Sequence, residues 1–212
     1  MSDEHNSDVD IEALAERASI DPSTIPTWEN AYLDRVANRL MFNYDLQQDT
    51  HVEGHTFNLT AEMRIESKKH FFHPSLRYAN HEAHEYIFVQ QHQAPSVAYL
   101  KRLVELGHEL ADKQEYLDPD EEHFGTDFTF VVIANLIENA VDEFVGDFRD
   151  RTLLKFGYYG HYEINLIVVA PDDEIATASK KAESVAAFAL WRDMDGQNSD
   201  GILSRVRSQL GI

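Results

Sequence analysis

The sequence predicts an α+β domain: a single mixed or largely antiparallel sheet packed against helices. Three observations predict it. Apolar and polar residues alternate with period two over residues 57–65, nearly continuous apolar runs occupy residues 128–134 and 162–169, and stripes of three-and-four spacing lie around them. A doubly wound parallel sheet fits less well, because two early strand signals follow each other without a helix between them.

The first helix signal is the four-residue recurrence of Trp28, Tyr32, Val36, Leu40 and Tyr44, with Leu33 and Met41 widening the stripe and Thr27 placed to cap it. Phe57, Leu59, Ala61, Met63 and Ile65 then alternate with polar residues, as in a strand with one wet face. Residues 68–84 are polar, rich in His and broken by Pro74, which reads as a loop; Tyr86 to Val89 read as a second strand. Pro95-Ser96 opens a long helix with Val97, Leu100, Leu103, Val104 and Leu110 on one side. After the acidic loop Asp118 to Glu122, the run 128–134 reads as a strand buried on both faces. Val141, Phe144, Val145 and Phe148 mark another helix, and residues 162–169 a central strand that stops at Pro171. Val185, Phe188, Ala189 and Trp191 continue as a helix. Three segments result: an acidic N-terminal leader over residues 1–26, one domain over 27–193, and a linker with an amphipathic helix (Ile202, Leu203, Val206, Leu210) over 194–212. That last helix could serve a dimer or its own domain.

Charge is the most informative bulk property. The 212 residues carry 38 acidic and 18 basic side chains, a formal net charge of −20, yet 43% are hydrophobic and 11% aromatic, enough to build a folded core. A compact body so charged repels itself at low ionic strength. At about 1 M salt the Debye length falls to about 3 Å and the repulsion is screened. The composition therefore points to a halophilic protein. With no Cys, thiolate metal sites, thiol nucleophiles and disulfides are excluded. The N-terminus Met1-Ser2-Asp3-Glu4-His5 is acidic where a signal peptide would be positive, and no apolar run approaches 18 residues, so a cytoplasmic location without membrane attachment is expected.

Two constellations could carry chemistry. His70, His73, His81 and His84 form H-x2-H-x7-H-x2-H, four imidazoles in 15 residues. Imidazole suits zinc, and a tetrahedral site needs three or four such groups converging. The spacing matches no established zinc motif, and His81-Glu82-Ala83-His84 lacks the i, i+4 geometry of H-E-x-x-H. A polar loop whose His rings pack against Phe71 and Phe72 explains the segment better, because a converging coordination geometry is missing.

The second constellation is residues 149–162. Arg149, Arg151 and Lys155 gather there in a chain short of cations, and Gly157 and Gly160 frame Tyr158 and Tyr159. Arg151, Lys155, Tyr158, Tyr159 and His161 could line a pocket for a small anionic or aromatic ligand. The bland alternative is a strand-entry turn whose cations pair with the abundant carboxylates. The segment holds neither G-x-x-x-x-G-K nor G-x-G-x-x-G, so it is no phosphate loop, and the chain has no G-x-S-x-G elbow. Lys68, Lys69 and His70, with Phe71 and Phe72 close by to stack on bases, could serve single strands, but the −20 charge opposes polyanions, and phosphate contacts weaken with salt.

Four stretches carry a family likeness: Arg39-Leu40-Met41-Phe42-Asn43-Tyr44-Asp45-Leu46, Lys69-His70-Phe71-Phe72-His73-Pro74, Thr126-Asp127-Phe128-Thr129-Phe130, and residues 149–165. Through them the chain resembles, from Trp28 to Trp191, an uncharacterised haloarchaeal family defined as a domain of unknown function. The resemblance implies no activity and no assigned site residues. The leading expectation is a non-catalytic cytoplasmic domain that binds a protein partner or small ligand. The competing one is a metal-dependent hydrolase using the His-rich segment, with zinc at His70, His73, His81 and His84. A nucleic-acid-associated factor is the third.

Overall fold

The computed structural model describes residues 26–68 and 80–192, of which 66–68 and 80–81 are placed by their backbone alone. Its centre is a seven-stranded mixed sheet that does not close on itself. In chain order the elements are α1 (Ala31–Leu40), β1 (Asp45–Val52), β2 (His55–Lys68), β3 (Asn80–Gln91), α2 (Val97–Ala111), β4 (His123–Ile133), α3 (Asn139–Asp147), β5 (Asp150–Leu153), β6 (His161–Ala170), β7 (Ile175–Ala178) and α4 (Val185–Phe188). The strands lie in the order β1-β2-β3-β4-β6-β5, and β7 also pairs with β6. β1, β2 and β3 form an antiparallel meander; β3, β4 and β6 run parallel, linked by connections that contain α2 and α3. The α+β expectation of one mixed sheet against helices is what the chain adopts.

The apolar runs of β3, β4 and β6 follow from burial on both faces. Phe88, Phe130, Ile164 and Leu166 face one core with Leu100, Leu103 and Leu106 of α2 and Val141 and Val145 of α3. Their neighbours Ile87, Val89, Val131, Ile167 and Val169 face a second core with Leu33, Val36 and Leu40 of α1 and Phe188 of α4. Side chains of a strand alternate between faces, so each such strand must be apolar throughout. α2 packs tightly on the sheet at Gly107, where a Cβ would sit 2.9 Å from Ile164 Cδ1.

Several local expectations need correction. Asn30, not Thr27, caps α1: its Oδ1 accepts the N–H groups of Tyr32 and Leu33 at 2.9 and 3.1 Å. Trp28 precedes the helix and is drawn to the sheet, its indole N–H donating to the Asn58 carbonyl at 2.7 Å. The period-two reading of β2 breaks at Asn58, so that Phe57 joins the α2 core while Leu59 and Ala61 join the α1 core. Residues 80–84 extend β3 and are not part of a loop. β1, β5 and β7 are strands without a sequence expectation, and α4 is a single turn. β6 lies inside the sheet, as its apolar run predicts, paired with β4 on one side and with β5 and β7 on the other. The leader and the C-terminal amphipathic helix lie outside the described residues.

Candidate functional site

One edge of β6 is shared by two short strands. β5 pairs with its first half, from Leu153↔His161 to Asp150↔Ile164. β7 pairs with its second half, from Ile167↔Ala178 to Ala170↔Ile175. Asn165 and Leu166 fall at the seam, and Ser179 closes it. The Ser179 N–H donates to the Leu166 carbonyl at 2.9 Å, and the Leu166 N–H donates to Ser179 Oγ at 3.1 Å. The Ser179 hydroxyl donates in turn to Asn165 Oδ1 at 3.3 Å. A buried polar pair thus replaces the missing strand contact.

A cleft of 330 Å³ opens over this seam. That is the lower end of the size range for small-ligand pockets. Arg149 and Arg151 line it from β5 and the residue before, Lys180 and Lys181 from the segment after β7, and Asn165 and Ser179 from the seam itself. Asp150 and Glu163 also line it, but both carboxylates are engaged. Asp150 Oδ2 accepts from His108 Nε2 at 3.1 Å. Glu163, largely buried, lies 3.3 Å from Arg151 Nη1 and 3.6 Å from His161 Nε2. The Arg151 guanidinium also donates to His161 Nδ1 at 3.2 Å.

The surroundings fix the state of His161. Burial, the Arg151 cation and His123 push its pKa from the ordinary 6.5 down to about 4, against a backbone hydrogen bond with Phe124 that favours the charged form. The ring is therefore neutral at pH 7, and its Nδ1 is free to accept from Arg151. His123, buried behind it, is held in one tautomer: Nδ1–H donates to the Tyr159 carbonyl at 2.7 Å, leaving Nε2 to accept from the Thr126 hydroxyl at 2.9 Å.

Of the proposed ligand-binding residues, Arg151 lines the cleft and His161 supports it through Arg151 and Glu163. Lys155, Tyr158 and Tyr159 do not line it. They belong to the turn between β5 and β6, where Lys155 and Phe156 take left-handed backbone conformations (φ 46° and 59°) and Lys155 lies over the Tyr159 ring. Phe156 at the tip is 98% exposed. Among the metal expectations, His70 and His73 lie outside the described residues and His81 is placed by its backbone only, on β3. His84 lies on β3 opposite Arg64, and its pKa is lowered by burial and then by Arg64. Among the described residues no three His, Asp or Glu side chains gather to hold a metal ion.

Residue-by-residue reading passed over Asn165, Ser179, Lys180 and Lys181. Two signals were present: an adjacent lysine pair in a chain dominated by acids, and a lone Asn inside the apolar run of β6.

Searches of curated proteins and of solved structures found no match. A family model described as "Domain of unknown function (DUF8052)" matches residues 29–190, which takes in every strand and helix among the described residues and the whole cleft. The chain belongs to that DUF8052 family.

Proposed function

We propose that the domain is a non-catalytic binding module of a halophile's cytoplasm, and that it takes a small anionic ligand in the cleft at the β5–β6–β7 seam. One observation carries this reading: Arg149, Arg151, Lys180 and Lys181 line a single cleft in a chain with a net charge of −20. Like charges crowded together repel one another, and here acidic partners are abundant. Among the described residues, no ion pair joins Arg149, Lys180 or Lys181 to a carboxylate. An anion entering the cleft would relieve that repulsion and meet fixed donors. The salt-adapted part of the proposal rests on the acid excess, and the cytoplasmic part on the lack of an apolar run that approaches 18 residues.

The test is a nuclear magnetic resonance titration of the labelled protein in molar KCl with acetate, citrate, sulfate and phosphate in turn. Amide signals of Asn165, Leu166, Ser179 and Lys181 should move saturably with at least one of them. Shifts scattered over the acidic surface, or none, would exclude the cleft as an anion site.

A further inference from the structure

The hydrogen-bond chain at the seam decides what the floor of the cleft offers. Ser179 Oγ accepts the Leu166 N–H, so its own proton goes to Asn165 Oδ1. The Asn165 carbonyl is thereby directed at Ser179, and its amide NH2 is left to donate. Asn165 is only 3% exposed, yet its amide nitrogen is not one of the fully buried polar atoms left without a partner. Among the described residues no protein acceptor meets that nitrogen, and the residue lines the cleft, so its small exposed area faces the opening.

The other polar groups agree in sense. Arg149, Arg151, Lys180 and Lys181 are donors only. The two carboxylates in the wall, Asp150 and Glu163, are already engaged by His108 and by Arg151. Arg151 is offset by Glu163, which leaves three cations without a carboxylate partner among the described residues. Asp150 offsets one further unit, so the four cations and two carboxylates of the wall sum to +2, and a monoanion would leave half of that charge uncompensated. A group with several oxygens and two or more charges would satisfy it, and Arg forks suit such oxyanions.

We infer that the cleft binds the phosphate group of a small phosphorylated molecule, with the Asn165 amide donating from the floor and Arg149, Lys180 and Lys181 neutralising the charge from the rim. This rests on the anion-cleft reading and narrows it to one ligand class. Neither bond making nor bond breaking is involved.

The experiment is calorimetric titration at fixed ionic strength in KCl with inorganic phosphate, pyrophosphate, acetate and a single-stranded oligonucleotide. The wild type should bind pyrophosphate and phosphate at least tenfold more tightly than acetate. The surface double variant Lys180→Gln/Lys181→Gln, checked for an unchanged melting curve, should lose about tenfold for the phosphates. Asn165→Asp, which puts a carboxylate on the floor, should abolish their binding. If Asn165→Asp does not fold, the lysine variant alone decides. Acetate binding as tightly as pyrophosphate would overturn the phosphate assignment while leaving the anion cleft standing. Binding of the oligonucleotide without the small phosphates would likewise overturn it. If no anion binds, or the lysine variant keeps full affinity, both readings fall together.

Discussion

The Tyr162 hydroxyl on β6 lies 2.9 Å from His108 Nδ1 on α2, a direct side-chain tie between the helix and the sheet. The second ring nitrogen sets its direction. Asp150 Oδ2 stands 3.1 Å from His108 Nε2 and, as a carboxylate, accepts the Nε2 proton; Nδ1 therefore accepts from Tyr162. Three elements, α2, β5 and β6, are joined through one imidazole. Tyr162→Phe should lower unfolding free energy by about 1 kcal/mol, the ordinary net worth of a hydrogen bond. In a His108→Ala background the same change should cost nearly nothing, which denaturant titration of the four proteins would show. Equal costs in both backgrounds would mean that the two side chains are not coupled.

Gly160 controls how β6 begins. Its φ is +70°, and a Cβ there would collide with the Phe124 carbonyl oxygen on neighbouring β4. Conformation and space therefore both demand glycine. Gly160→Ala should lose more than about 2 kcal/mol, since the Phe124 backbone, being part of the sheet, cannot give way cheaply. By contrast Gly157, also at positive φ, has open space around it. Gly157→Ala should therefore cost less than Gly160→Ala by thermal melting, and the reverse order would contradict the geometry.

His161 makes stability depend on pH in a defined direction. Its folded pKa of about 4 lies below the ordinary 6.5, so the unfolded chain takes up this proton first as pH falls. The contribution of neutral His161 is complete above pH 6.5, declines as pH drops towards 4, and changes no further below that. A tenfold difference in proton affinity between the folded and unfolded chain corresponds to about 1.4 kcal/mol, and partial exposure of the site reduces the total to about 2 kcal/mol. The groups that face the ring are Arg151 from β5, Glu163 from its own strand, His123 from β4 and Lys181 after β7. His161→Gln removes the titration but leaves the carboxylates. Urea unfolding at pH 6.5 and 4.5 should show the wild type losing more than the variant, and equal losses would mean that the imidazole is not depressed.

What could be read from the sequence follows burial. β4, β6 and α2 were legible because apolar runs and the Ser96 cap, which accepts the Tyr99 N–H at 3.2 Å, are local signals. β1 was not legible: Asp45–Val52 is an edge strand whose residues are mostly polar and whose pairing with β2 supplies what its pattern lacks. β5 and β7 are four residues each and exist because β6 offers them an edge. The site divides in the same way. Arg149 and Arg151 stand out as cations in one stretch, whereas Lys181 joins them only because β7 brings residues 14 positions apart, Asn165 and Ser179, into contact. Lys155, Tyr158 and Tyr159 looked equivalent to Arg151 in sequence but turn away at the left-handed pair Lys155–Phe156. A positive φ on two non-glycine residues has no sequence signature.

The acid surplus leads to the last expectation. A formal charge of −20 on the chain leaves a repulsion that salt alone can screen, because the Debye length is about 10 Å at 0.1 M and about 3 Å at 1 M. Recovering about 3 kcal/mol by screening would raise the melting temperature by roughly 10 °C for a chain of this size. The rise should come steeply between about 0.1 and about 1 M KCl, the range over which the Debye length shortens from about 10 to about 3 Å, and should be reproduced by NaCl at the same ionic strength, since screening depends on ionic strength rather than on ion identity. A variant in which exposed acids on β1, at the opposite edge of the sheet from the cleft, such as Asp45 and Asp49, become Asn should need less salt to reach the same melting temperature. A flat profile for the wild type between these salt concentrations would mean that the acids are tolerated without screening, and the halophilic assignment would not survive it.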